Sequence, residues 1–180
     1  MQNWIGWLTD LMRSLKSQII KRVDAAAVAK ASTYRTFMKI GTQGLELIKT
    51  FEGLELNAYK CAAGVWTIGY GHTKDVQEGM VISALKANEM LQNELVEYEG
   101  YVNVLVTVPL TQNQFDALVS WVYNLGSTNF QSSTLLKVIN AGGEMLGVPA
   151  QIMRWNKANG RVLEGLTRRR QAEADLFSAN

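Results

Sequence analysis

The sequence predicts a mostly helical α+β fold, with a small lobe built on a β-hairpin, a larger helical lobe and a long helix between them. Three observations lead to this prediction. Apolar residues recur at steps of three and four in several segments, as in amphipathic helices. One stretch alternates instead around a turn at residues 62–64, which is typical of a hairpin. A chain of 180 residues can bury one core divided into two lobes, and is too short to suggest several independent domains.

The composition is that of a globular protein without disulfides. Hydrophobic residues make up 47% of the chain and charged residues 19%. A single cysteine allows no intrachain disulfide, which fits synthesis in a reducing compartment. The chain also has a single histidine, so a His/Cys metal site is not expected. We expect neither a metal nor a cofactor.

The N-terminal segment, residues 1–43, differs in charge from the rest of the chain. It carries a net charge of +5 and the remainder −3. Residues 4–23 predict a basic amphipathic helix whose cations lie mostly opposite the apolar face. Such a helix either contacts anionic membrane lipids through residues 1–30 or packs on protein, including a second copy of itself. The apolar face consists of Trp4, Leu8, Leu11, Leu15 and Ile19.

We expect no secretory signal and no membrane-spanning helix. The uncharged start, residues 1–9, is far shorter than the roughly 20 apolar residues that cross a bilayer. The cations follow this stretch, whereas in a signal peptide they precede it. Breaks near residues 32–33 and 41–42 place the start of the second domain, residues 44–180, after residue 43.

The stretch from Phe51 to Thr73 is the most informative part of this domain. Glu52 ends a short amphipathic helix, and Gly53 stops it because glycine takes a left-handed turn without a steric penalty. A carboxylate at a helix end that faces a small sheet is expected at the wall of a cleft. The alternative is that Glu52 only caps the helix end in solvent. Apolar neighbours would favour its protonated form by desolvation; these are Phe51, Leu54 and Leu56.

Capping residues predict the helices that follow. Ser83 can cap a long helix that spans the two lobes, and Thr111 with Gln114 forms a capping box. The helix after this box is nearly all apolar and is expected at the centre of the larger lobe. In the final helix, Arg169 and Glu173 have the i, i+4 spacing of an ion pair. The predicted helices span about 83–100, 111–125, 132–140, 149–157 and 167–177.

Glu52, Cys61 and Thr67 are separated by eight and by five residues, and Ile-Gly-Tyr-Gly-His follows. This pattern resembles the catalytic signature of phage lysozymes of glycoside hydrolase family 24, the endolysins that cut the bacterial wall. The resemblance extends over about 44–177. It implies a lysozyme-like fold and hydrolysis of the β-1,4 bond between N-acetylmuramic acid and N-acetylglucosamine in peptidoglycan, causing host cell lysis.

The resemblance implies that Glu52, Cys61 and Thr67 are the catalytic residues. A glycosidase needs an acid, here Glu52, and an inverting one also needs a base that activates water. Many family members carry aspartate at the position of Cys61, and a free thiol with a pKa near 8.5 is a weaker base at neutral pH. Cys61 therefore acts as a weak base or only holds the water together with Thr67. The alternative is a buried cysteine and a strand-forming threonine without a catalytic role.

Other polar residues near the signature have expected roles. Asp75 or Glu78 could serve as the base if Cys61 does not. In the family the histidine that matches His72 is structural, and we expect Glu94 to be its partner. One guanidinium of residues 168–170 would lie near Glu52, hold it in place and favour its ionised form. Many family members have an aspartate directly before the glutamate; this chain has phenylalanine, so the charge network of that aspartate is not implied.

The resemblance also implies partners and location. Peptidoglycan is the expected partner, without nucleic acid, and the protein is expected to be a monomer. It would collect in the host cytoplasm and reach the periplasm and wall through a separate pore. Two other functions stay open: a lytic transglycosylase with Glu52 as its only essential group, and a membrane-disrupting antibacterial protein that acts through the N-terminal helix.

Overall fold

The computed structural model describes residues 37–61, 63–142 and 145–179. The helix predicted over residues 4–23 and the membrane contact predicted for residues 1–30 lie outside the described residues. Backbone contacts divide the chain into residues 1–37 and a unit that begins at Met38. In the described part of the chain, no helix combines the length and the apolar character needed to cross a membrane.

The described part of this unit is mostly helical, with two short antiparallel hairpins. In chain order the elements are α1 (Thr42–Glu52), β1 (Glu55–Lys60), β2 (Trp66–Gly69), α2 (Ala84–Leu105), α3 (Gln112–Leu125), α4 (Ser127–Ser132), α5 (Thr134–Asn140), a 3₁₀ turn (Met145–Gly147), α6 (Val148–Met153), β3 (Lys157–Ala158), β4 (Arg161–Val162) and α7 (Glu164–Ser178).

Helix α1 is held at its N-terminus by the buried carboxylate of Asp116, a residue of α3. The backbone N–H groups of Gly41 and Gly44 donate to its two oxygens at 2.8 and 3.0 Å. A Cβ on Gly44 would lie 2.6 Å from the Cβ of Asp116, so this approach requires glycine. At the other end Gly53 takes a φ of 75° and ends the helix at Glu52, as predicted.

The small lobe contains the predicted hairpin. Strands β1 and β2 pair antiparallel, with Glu55 opposite Gly69 and Lys60 opposite Trp66. Thr67 lies on β2, as expected. Cys61 was expected on a strand, but it lies just beyond β1 and begins the turn, with its backbone N–H donating to the Val65 carbonyl at 3.0 Å.

Helix α2 connects the hairpin to the helical lobe. Ser83 caps it by accepting a hydrogen bond from the backbone N–H of Lys86 at 3.1 Å. The helix ends at Leu105, beyond the predicted end near Gly100. Val102 is fully buried in the core, so packing outweighs the low helix propensity of the glycine.

Helix α3 forms the centre of the helical lobe. The predicted capping box of Thr111 and Gln114 is present, and Gly126 ends the helix. Residues of α3 pack against α1, α2 and α7. The fully buried side chains of this helix include Phe115, Leu118, Val119, Trp121 and Val122.

The last third of the chain differs from the prediction in three places. Helix α4 directly follows α3 and was not predicted. The helix predicted over 149–157 ends at Met153, because residues 157–162 form a second hairpin around Asn159 and Gly160, with φ values of 50° and 75°. Asn-Gly is a strong hairpin signal that the sequence reading overlooked. Helix α7 begins at Glu164, three residues before the expected cap Thr167, whose hydroxyl donates to the Leu163 carbonyl instead.

Candidate active site

Glu52 is the last residue of α1, and its side chain is 22% exposed. Arg169 on α7 donates from Nη1 to Oε1 of this carboxylate at 2.6 Å. The prediction that residues 168–170 place a guanidinium near Glu52 is thereby confirmed. Of the apolar neighbours named in the sequence, Leu54 is exposed.

Phe51 takes part in the same arrangement. Its ring lies 5.7 Å from the guanidinium carbon of Arg169, a cation–π contact. Phe51 therefore contacts Arg169 from the position at which many family members carry an aspartate. Beside Glu52, Arg169 thus meets an uncharged aromatic ring at residue 51 instead of a carboxylate.

A cleft of about 260 Å³ lies beside Glu52. Its walls carry hydroxyl, amide and carboxylate groups together with aromatic rings, a combination that suits a polar ligand with apolar faces. A Cβ on Gly71 would lie 3.7 Å from Oε2 of Glu52, so the backbone there passes close to the acid. The residues lining the cleft besides Glu52 are Tyr70, Gly71, Thr73, Glu94, Tyr98, Tyr123 and Asn124.

Tyr123 is a cleft residue that the sequence analysis did not identify. Burial, followed by the charges of Glu94 and Glu52, raises the pKa of its hydroxyl far above the usual range. The hydroxyl therefore keeps its proton, and it contacts the Tyr70 carbonyl at 3.1 Å and Glu94 Oε2 at 3.3 Å. Its ring packs edge to face on Tyr98 at 4.9 Å. A tyrosine in an apolar helix gives no sequence signal that separates a cleft wall from the core.

His72 has the partner that was predicted from the sequence. Its Nδ1 contacts Oε1 of Glu94, and its Nε2 lies 2.8 Å from the Lys74 carbonyl. Both ring nitrogens thus have partners: Nδ1 contacts a residue of α2, and Nε2 contacts the loop that follows His72. This geometry fits the structural role expected for His72, which fixes the loop against α2.

Cys61 and Thr67 lie close to each other in the first hairpin. Backbone N–H groups of Val65 and Ala63 lower the pKa of the Cys61 thiol, burial acts in the opposite direction, and the Thr67 side chain adds a smaller lowering. Thr67 is buried, and its hydroxyl donates to the Val65 carbonyl at 3.1 Å. In the described ranges, no hydrogen bond joins either residue to Glu52, and neither lines the cleft of about 260 Å³.

The two alternative bases lie elsewhere. Asp75 and Glu78 are exposed in the loop that follows His72. Within the described ranges, neither side chain hydrogen-bonds to a residue of the cleft. The site assembled around Glu52 is therefore made by α1, α2, α3, α7 and the turn after β2.

Comparisons with known proteins agree with this arrangement. The family model described as phage lysozyme matches residues 49–173. The chain is 47% identical over 146 residues to the endolysin of Acyrthosiphon pisum secondary endosymbiont phage 1, covering 79% of this chain and 99% of the relative. It is 34% identical over 164 residues to the SAR-endolysin of Bacteriophage PS119, covering 91% and 93% of the two chains.

A solved structure gives the same result for the fold. The endolysin from Escherichia coli O157:H7 phage FAHEc1 superposes with a TM-score of 0.75 at 41% identity, covering 81% of this chain and 96% of that one. The two-lobed, mostly helical fold is thus lysozyme-like. Given the matching residues, the fold and the Glu52 carboxylate beside the cleft, this chain belongs to the phage lysozyme family and is a glycoside hydrolase.

Proposed function

We propose that the protein is a muramidase endolysin in which Glu52 protonates the glycosidic oxygen between N-acetylmuramic acid and N-acetylglucosamine of peptidoglycan. The observation that supports this role is the Glu52 carboxylate, held by Arg169 at 2.6 Å on the wall of a cleft of about 260 Å³. An acid at the cleft wall is one of the two groups that glycoside hydrolysis needs.

In this proposal the two carboxyl oxygens of Glu52 have different tasks. Arg169 contacts Oε1, and among the described residues no hydrogen bond is made to Oε2. Oε2 is thus the atom that carries the proton toward the leaving oxygen. Because Arg169 is itself buried and fixed, the carboxyl group is held in one orientation, which is what an efficient general acid requires.

Cys61 and Thr67 handle the water in this proposal. The turn N–H groups that lower the pKa of the thiol increase the fraction of thiolate near neutral pH. A thiolate can take a proton from water, and the Thr67 hydroxyl can hold that water because its oxygen still accepts hydrogen bonds.

The test is Glu52→Gln, which keeps the shape of the side chain and removes its proton. We expect the clearing rate of purified peptidoglycan to fall by about 100- to 10,000-fold. Glu46→Gln is the matched control, because Glu46 is exposed on the same helix and pairs with Lys49. Clearing by Glu52→Gln at the rate of the unchanged protein would contradict the proposal.

Product analysis then tests the use of water. Hydrolysis leaves reducing N-acetylmuramic acid ends, which mass spectrometry of the digested wall detects. Anhydro-muramic ends would mean that the sugar closes on itself, as in a lytic transglycosylase, and would refute the roles of Cys61 and Thr67. We expect reducing ends.

The N-terminal segment is proposed to have a separate task at the membrane. A match of 164 residues to a relative named SAR-endolysin extends N-terminal to Met38, and the cations and apolar face of residues 1–30 suit an anionic membrane surface. Access to the wall through a separate pore is the other route. Expression with and without a pore-forming protein, for the full chain and for a variant lacking residues 1–36, separates the two routes by the fraction recovered in the periplasm.

A further inference from the structure

Two arginines and a glutamate on α7 form a buried cluster behind Glu52. The side chain of Arg169 is 4% exposed, and those of Arg170 and Glu173 are fully buried. Buried charges are costly unless they are paired and hydrogen-bonded. Each of these three charges therefore needs a partner of opposite charge or a hydrogen bond.

Glu173 is the point at which both guanidinium groups meet. Arg169 donates from Nε to Oε1 at 3.3 Å, and Arg170 donates from Nη2 to the same oxygen at 2.8 Å. Nε of Arg170 lies 2.7 Å from Oε2. The hydroxyl of Ser120 on α3 also donates to Oε1 at 2.8 Å. Arg169 thus contacts Glu173 at one end and Glu52 at the other.

The cluster is balanced in charge. Two guanidinium groups face two carboxylates, Glu173 inside and Glu52 at the cleft. Burial raises the pKa of the Glu173 carboxyl and lowers that of Arg170, while the ion pairs act against both effects. If the charge of Glu173 were removed, Arg170 would have no anion in direct contact, and the positive potential at Glu52 would rise.

We propose that Glu173 is a positioning residue for the proton donor: it anchors Arg169 and offsets the charge of Arg170, so that Glu52 faces one net positive charge instead of two. This inference rests on the proposed role of Glu52 as the acid. Glu173 itself is buried and touches no substrate. Phe51, the residue before Glu52, carries no charge, and the arginines face the carboxylates of Glu52 and Glu173.

The charged and titratable groups around Glu52 determine how a substitution of Glu173 affects the pH dependence of activity. On the inner side Glu52 faces Arg169 of α7, with Arg170 and Glu173 behind it and the uncharged Ser120 on α3. On the cleft side the titratable groups are Glu94, Tyr70, Tyr98 and Tyr123. A substitution at Glu173 changes only the inner side.

The test is Glu173→Gln, whose amide oxygen can still accept hydrogen bonds from Ser120 and the arginines. A general acid works in its protonated form, so activity is lost as the pH rises through its titration. A higher positive potential favours the carboxylate, and the alkaline limb of the pH profile for peptidoglycan clearing should therefore move down by about one pH unit. A purely structural role would lower the melting temperature and leave this limb in place.

Arg170→Met gives the opposite sign. It removes one cation, so the alkaline limb should move to higher pH. The double variant Arg170→Met/Glu173→Gln removes one charge of each sign and should return the limb to its original position. Replacing a buried ion pair by neutral groups is often tolerated. Glu164→Gln is the matched control, because Glu164 lies on the same helix and pairs with Arg168 in solvent; its limb should not move.

Each outcome is decisive. An unshifted limb in Glu173→Gln, or a double variant shifted as far as the single one, overturns the inference. If Glu173→Gln does not fold, the effect of the Glu173 charge is measured by the difference in the alkaline limb between Arg170→Met and the double variant. A difference of zero overturns the inference. An active Glu52→Gln would refute the proposed function instead, so the two failures are distinguishable.

Discussion

In the proposed mechanism, Cys61 is the side chain that activates the water. Its thiol lies in a turn whose backbone N–H groups lower its pKa below that of a free thiol. The N–H groups come from Val65 and Ala63, and Thr67 adds to them. A hairpin turn thus provides donors that a cysteine on a regular strand would not meet, because strand N–H groups are used in the ladder.

Substitutions of Cys61 distinguish a base from a residue that only holds water. A base works in its ionised form, so activity is lost as the pH falls through its pKa. Cys61→Asp introduces a carboxyl group, whose ordinary pKa is near 3.9. We expect this variant to stay active at a lower pH than the unchanged protein. Cys61→Ser cannot ionise near neutral pH, and its clearing rate should fall by about 100-fold or more.

The measurement is the acidic limb of the rate of peptidoglycan clearing. Full activity of Cys61→Ser at every pH would mean that the thiol only positions water. A limb that stays in place in Cys61→Asp would mean that another group is the base.

Helix α1 shows how one element positions Glu52, the proposed acid. Its N-terminus is tied to α3 by Asp116, and its C-terminus carries Glu52. Asp116 accepts from two backbone N–H groups and also from Gln112 Nε2 at 2.7 Å. The carboxylate on α3 thereby takes the place of a side-chain cap that α1 lacks.

Loss of this anchor should destabilise the protein. Asp116→Ala leaves the N–H groups of Gly41 and Gly44 without their acceptor, and we expect the free energy of unfolding to fall by about 3 kcal/mol. Denaturant unfolding measures this value. Asp175→Ala is the control on an exposed carboxylate, with an expected change of at most about 0.5 kcal/mol. Equal stability of the two variants would contradict the anchoring role.

The described unit from Met38 onward contains the core and the proposed site together. Its core is centred on α3, where Trp121 packs at 5.7 Å from Phe130 and 5.0 Å from Trp155. A relative covered over 99% of its length matches 146 residues of this chain. An enzyme of this family can therefore be about as long as the unit itself.

A fragment of residues 37–180 should hydrolyse purified peptidoglycan at a rate close to that of the full chain. The reason is that Glu52, Arg169 and the cleft all belong to this unit. Clearing assays and thermal unfolding of both proteins test the prediction, and a folded but inactive fragment would contradict it. Leakage of anionic liposomes by full-length Glu52→Gln would instead support an additional membrane-disrupting activity of residues 1–36.

The division between sequence and tertiary structure follows the range of the interactions. Ends of helices marked by local chemistry were predictable, as with Gly53, Ser83 and the capping box at Thr111, because a cap needs only neighbours in the chain. The spacing of Glu52, Cys61 and Thr67 likewise identified the family. The end of α2 was not predictable, because burial of Val102 in the core outweighs Gly100.

The surroundings of the acid depend on contacts between distant parts of the chain. The sequence indicated that an arginine of 168–170 would approach Glu52, and packing of α7 against α1 and α3 selected Arg169, 117 positions away. The same packing turned Arg170 and Glu173 inward. Which side of a helix faces which neighbour is set by the summed burial of several elements, and local sequence carries too little of that information.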